Sequence, residues 1–154
     1  MLGFMLAFGL LLLQPFRTGS SSQLNTIPRA EDITLYDANG EATAYIATGE
    51  EQTIYLWEGK PVAYLVPTDS AFSIYGFNGT HLGWFERGIV RDHDGDAVGF
   101  VKGAVRVLTS LEPLKSLREL KPLRALRELA PLKPVYSRQF SRVPLSVFLA
   151  AGAD

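Results

Sequence analysis

The stretch Arg91-Asp92-His93-Asp94-Gly95-Asp96 sets three carboxylates at alternate positions around a histidine, a donor set that could hold calcium. Counted from Asp92, however, glycine stands fourth and Gly103 twelfth, where an EF-hand loop needs glycine sixth and a bidentate Glu twelfth. Asp and Gly are also what a tight turn selects, so turn chemistry explains the stretch without a metal. His81 follows Thr80 with no carboxylate or cysteine nearby and reads as a surface histidine. The chain has no cysteine, which excludes disulfides, a thiolate nucleophile and Cys-based zinc or iron–sulfur sites. Two histidines are too few for a His-rich metal cage. No Ser-His-Asp arrangement, phosphate-cradling glycine loop or acid/base pair stands out, so the expectation is a protein that is not an enzyme and carries no cofactor or metal. Two residue sets remain that could meet a partner. Lys115, Arg118, Lys121, Arg124, Arg127 and Lys133 could contact an anionic polymer or membrane surface. Trp57, Trp84 and several tyrosines could stack on glycans.

The elements that would position these groups show up as repeats. Gly40, Gly59, Gly79 and Gly95 align the segments DANGEATAYI, LWEGKPVAYL, GFNGTHLGWF and DHDGDAVGFV. Each glycine follows Asn39, Glu58, Asn78 or Asp94, and Asn-Gly and Asp-Gly are the strongest signals for a two-residue type I′ hairpin turn. Five residues after each glycine stands an aromatic: Tyr45, Tyr64, Trp84 and Phe100. Just before it comes Ala44, Ala63, Gly83 or Gly99. Five residues before each glycine is Leu35, Ile54, Ile74 or Val90, and four before are Tyr36, Tyr55, Tyr75 and the one exception, Arg91. The pattern predicts a mainly β domain of four tandem hairpins. Pairing across a two-residue turn sets Leu35 opposite Ala44 and Tyr36 opposite Thr43. Strand alternation then puts Leu35, Ala44 and Ile46 on one face and Tyr36, Thr43 and Tyr45 on the other. Around a common axis the first face would be buried, with its small residues allowing close approach. The aromatic face would need a cover.

These residues resemble a family of bacterial and phage domains called the 4-fold beta flower. YLWEGKPVAYL, IYGFNGTHLGWFE and RDHDGD, with the Leu-Lys-Pro run that follows, carry the resemblance over roughly residues 32 to 135. It implies a pseudo-fourfold arrangement of β-hairpins and brings no catalytic activity with it.

The remaining chain divides by composition. Residues 1–17 open with thirteen apolar residues, too few to span roughly 30 Å of hydrocarbon as a helix. The stretch has the size of a signal peptide's apolar region without its basic start, so localisation stays open between membrane-associated or exported and cytoplasmic. Residues 18–31 are small and polar, as in a linker. Residues 32–104 hold the hairpins, 105–142 a basic arm and 143–154 a tail. The net charge of −1 conceals a segregation: residues 31–104 carry −8 and residues 105–142 carry +6.

In the arm a leucine falls on every third position from Leu111 to Leu132, continued by Val135, and Pro113, Pro122 and Pro131 add a nine-residue period. An α-helix would smear that row around its surface and a strand would split it between faces. Polyproline II or 3₁₀-like geometry keeps it on one side, and short helical turns after a proline also fit. As polyproline II, 24 residues reach roughly 75 Å, against a hairpin domain about 25 Å across, so the arm must bend, wrap or run onto a second copy. Charge and apolar surface together predict that its leucines cover the aromatic face, in the same chain or between protomers. The function expected is a noncatalytic structural or protein-interaction module, self-associating or binding a protein through the arm. Nucleic acid, a membrane surface or a glycan are the alternative partners.

Overall fold

The computed structural model describes residues 30–153. The reading of residues 1–17 as a signal or anchor, and nearly all of the linker, lie outside them. Eight strands follow in order: β1 Ile33–Tyr36, β2 Ala42–Ala47, β3 Thr53–Leu56, β4 Pro61–Pro67, β5 Phe72–Gly76, β6 His81–Glu86, β7 Ile89–Arg91 and β8 Ala97–Phe100. Each pairs antiparallel with the next, and β1 closes on β8 through Tyr36 and Phe100. The fold is therefore mainly β: an eight-stranded closed barrel made of four hairpins, with no exposed sheet edge.

Alternation sorts the −5, +4 and +6 side chains as the sequence predicts, whereas Val62, Leu82 and Val98, the counterparts of Thr43 on the expected aromatic face, lie in the interior because the bulge turns them inward. Leu35, Ala44, Ile46, Ile54, Ala63, Leu65, Ile74 and Val90 form the buried interior, and the tyrosines fall in separate clusters outside it. The turns differ from the two-residue type I′ form. At the first hairpin Gly40 N–H donates to Asp37 O and Asp37 N–H to Glu41 O, and the other three hairpins repeat both bonds. Only the glycine has positive φ, from +80° to +96° across the four, while the residue before it does not. This is a three-residue loop, a type I turn closed by a left-handed glycine. A bulge then shifts the register one step in every hairpin, so Tyr36 faces Ala42 rather than Thr43, Tyr55 faces Pro61, Tyr75 faces His81 and Arg91 faces Ala97. The physical reason is the extra loop residue, which the shorter turn does not have.

The last residues are more than a tail. Pro144 precedes a six-residue helix, α1 (Leu145–Ala150), whose Leu145 and Leu149 lie one turn apart and are buried among the barrel's interior side chains. The small positions of the hairpins serve this insertion as well as the approach of neighbouring strands. A Cβ on Gly99 would meet the Leu145 side chain and Tyr36 O, and one on Gly83 would meet Phe148 and Arg91 O. The barrel's interior is thus completed by Leu145 and Leu149 beside the hairpins' own aliphatic side chains.

Candidate interaction surface

Outside the barrel the aromatic residues pair across the junctions between consecutive hairpins. Tyr45 stacks on Tyr55 with ring centroids 5.5 Å apart, Tyr64 on Tyr75 at 6.4 Å, and Tyr36 on Phe100 at 6.0 Å. Each pair is also in direct strand register, as are Trp84 and Arg91 at the remaining junction. The +5 ring of one repeat therefore meets the −4 residue of the next. That rule could have been read from the repeat offsets, once the barrel was known to close.

Residues 107–137 contain neither helix nor strand, and they run past the four hairpin tips in turn. The N–H groups of Ser110, Glu119, Glu128 and Ser137 donate to the carbonyls of Gly40, Gly59, Gly79 and Gly95, at 2.8 to 3.0 Å. The backbone carbonyls of Leu108, Leu117, Leu126 and Val135 fill the space where a Cβ on those glycines would stand. Nine arm residues thus correspond to one hairpin, although the glycines themselves are 19, 20 and 16 residues apart. The turn glycines are structural in two ways: they adopt left-handed φ, and they leave room for the arm.

The basic side chains, and not the leucines, cover the aromatic face. Lys115 lies 4.4 Å from the Tyr45 ring centroid, Arg118 lies 5.2 Å from both Tyr45 and Tyr55, Arg124 4.0 Å from Tyr64 and Arg127 5.4 Å from Tyr75. Beyond the rings these cations reach the acidic block: Lys115 and Arg118 pair with Asp32, Arg118 with Glu50, Lys121 and Arg124 with Glu51, and Lys133 with Glu86. The Tyr55 hydroxyl donates to Glu50 at 2.6 Å; this bond, with Arg118 beside it, holds the Glu50 carboxyl below its ordinary pKa. Burial and the same carboxylate push the Tyr55 phenol up. The hydrogen bond from Lys133 likewise lowers Glu86.

Arg91, the exception in the repeat, has a matching exception in the arm. Its guanidinium lies over the Tyr136 ring at 4.9 Å and donates to Ser137 O at 2.7 Å. Here the barrel supplies the cation and the arm the ring, the reverse of the other contacts.

The leucines point away. Nine leucines from Leu108 to Leu132, together with Val135, are 93–97% exposed. The expectation that they cover the tyrosines is corrected by the geometry of a three-residue repeat. Only one of its three faces can lie over the rings, and cations over tyrosines also neutralise the acidic block, which leucines would not.

Asp92 and His81 resolve differently. Asp92 Oδ1 accepts from the N–H groups of Asp94 and Asp96, as Asp37 Oδ1 does from Asn39 and Glu41 in the first hairpin, so the carboxylate belongs to the turn. Among the described residues no three His, Asp or Glu side chains are grouped to hold a metal ion. His81 is fully buried, contrary to the surface reading. Its ring contacts His93 Nε2 at 2.9 Å and Ser73 Oγ at 3.3 Å, packs edge-on to Trp84 and Tyr75, and its backbone N–H donates to Glu128. Burial, reinforced by His93, lowers its pKa to about 4. Trp84, Tyr75 and Ser73 belong to its own hairpin, but His93 and Glu128 come from the next hairpin and the arm, which no local signal announces.

The family described as 4-fold beta flower protein matches residues 33–149. No curated protein and no solved structure matches the chain.

Proposed function

The chain belongs to the 4-fold beta flower family, and we propose that it is a noncatalytic interaction module whose working surface is the outward leucine row of its arm. We read the arm as a polyproline-type thread with three residues per turn and three faces. Leucines occupy one, the cations another, and Ser110, Pro113, Ser116, Glu119, Pro122, Ala125 and their successors the third. One observation carries the reading: ten apolar side chains, 93–97% exposed, stand in an unbroken series on a segment anchored at four points. Full burial of a leucine is worth about 1.5–3 kcal/mol, so the row holds about 15–30 kcal/mol of unrealised transfer free energy. A continuous apolar surface of this kind marks an interaction site.

The other candidate surfaces are already engaged. The six basic residues reach Asp32, Glu50, Glu51, Glu86 or tyrosine faces of their own chain, which leaves less charge for an anionic polymer. The tyrosine faces lie under the arm, which argues against glycan stacking there. The test compares the parent with a variant in which Leu117, Leu120, Leu123 and Leu126 are all changed to Gln. The folded parent is expected to bind the neutral apolar dye Nile red and the variant to lose that binding at an unchanged thermal midpoint. Equal dye binding by both would refute the reading.

A further inference from the structure

From the shape and composition of the leucine row we infer that its occupant is lipid: the module seats the row among acyl chains at the surface of a bilayer. The inference rests on the reading of the row as the working surface. The arm is pinned at Gly40, Gly59, Gly79 and Gly95, one point on each hairpin, so its leucines follow about three quarters of the barrel's circumference. At about 3.1 Å per residue, successive leucines stand about 9 Å apart along a thread of about 84 Å. A flat, rigid protein face touches such a curved row over part of its length and leaves the rest in water. A fluid medium conforms to all of it.

The row's chemistry points the same way. It contains leucine and one valine, with no aromatic anchor and no hydrogen-bonding group, whereas protein hot spots are rich in Trp, Tyr and Arg set in shaped pockets. Acyl chains ask for none of these. Next to the leucines along the thread stand Lys115, Arg118, Lys121, Arg124 and Arg127, whose charged heads lie back on the barrel and its acids. The attraction therefore comes from apolar surface and not from charge.

The path of the chain supplies an independent argument. Asp32, at the start of the barrel, is held by Lys115 at 3.1 Å and by Arg118 at 2.7 Å, the arm residues next to Leu114 and Leu117. The thirteen apolar residues at positions 1–13 join the fold from that point. Fully extended, the eighteen residues between them and Asp32 span up to about 60 Å, enough chain for the segment to reach the same bilayer face as the row. Thirteen residues do not span a bilayer, and one weak apolar insertion is reversible, whereas two acting together give stable attachment.

The experiment is flotation of the full chain with phosphatidylcholine vesicles, with and without phosphatidylserine, at low and high salt. The parent is expected to float with neutral vesicles, with less than about twofold change on adding salt. Changing Leu117, Leu120, Leu123 and Leu126 to Gln is expected to weaken partition on the order of 100-fold, with the thermal midpoint unchanged. Equal flotation of the variant overturns the inference, because residues 1–13 would then account for binding alone. Binding only to phosphatidylserine vesicles with release by salt overturns it in favour of charge. If the parent ignores vesicles but is an oligomer that the variant breaks into monomers, the lipid inference falls and the docking surface stands. If the parent is monomeric and ignores vesicles, and dye binding is also absent, both fall.

Discussion

The backbone carbonyl of Leu117 occupies the space that a Cβ on Gly59 would need, and two residues on Glu119 N–H donates to Gly59 O at 2.9 Å. This contact, repeated at four turns, ties the arm to the barrel and turns the leucines outward. The Gly59→Ala change is therefore expected to do two things. It strains a residue whose φ is +96°, costing about 1–2 kcal/mol, and it lifts the arm from its seat. Gly103→Ala provides the control, since φ there is +87° but nothing lies within 4 Å of the added carbon. Both variants should lose stability in urea, and only Gly59→Ala should become rapidly cleaved by trypsin at Lys115, Arg118 and Arg124. Equal protection of the arm in the two would show that the seat at Gly59 does not hold it.

Arg118 joins more groups than any other arm cation described above. It lies over Tyr45 and Tyr55 and pairs with Asp32 and Glu50. Arg118→Ala is expected to cost about 1–2 kcal/mol, the sum of partly exposed cation–π and ion-pair contributions. Arg118→Lys should recover less than half, because a single ammonium cannot fork between two carboxylates while stacking on rings. Urea midpoints at low and high salt check both, and full rescue by lysine would count against the planar contact.

Leu149 and Leu120 should behave as opposites despite sharing a side chain. Leu149 is buried inside the barrel on α1, and its change to Ala is expected to cost about 2–5 kcal/mol. Leu120 is 96% exposed, and its change to Ala should stay within about 0.5 kcal/mol. Denaturant unfolding measures each. A large loss at Leu120 would mean that the row packs against something in the isolated protein.

His81 should make the fold acid-sensitive. The folded protein keeps it neutral down to about pH 4, because burial and the adjacent His93 oppose a charge that Glu128 only partly favours. The unfolded chain takes up that proton below about pH 6.5. Its contribution to stability is thus complete above pH 6.5 and is lost as pH falls from about 6.5 to about 4, on the order of 3 kcal/mol in all. His81→Gln should flatten the thermal-midpoint curve across that window. The lowered carboxyls of Glu50 and Glu86 act in both proteins, so the difference between the curves isolates the histidine. Parallel curves would refute its burial as a neutral ring.

Much of this protein is determined by its sequence alone. Glycines at the tips, aliphatic residues at −5 and aromatics at +5 specify hairpins and their two faces, because strand alternation is a local, period-two constraint. The three-residue leucine spacing likewise dictates one apolar edge whatever the thread lies upon. What that edge faces is a different matter. Leucines and cations compete for the tyrosine face, and the outcome depends on where Asp32, Glu50 and Glu51 stand once the barrel has closed. The same closure turns Arg91 into the partner of Tyr136, buries His81 against His93, and admits Leu145 and Leu149 to the interior. Each of these is a contact between residues at least 12 positions apart, fixed by the barrel's curvature and free space, and no local pattern encodes either. Period and polarity thus belong to the sequence, and the choice of which face meets water belongs to the tertiary structure.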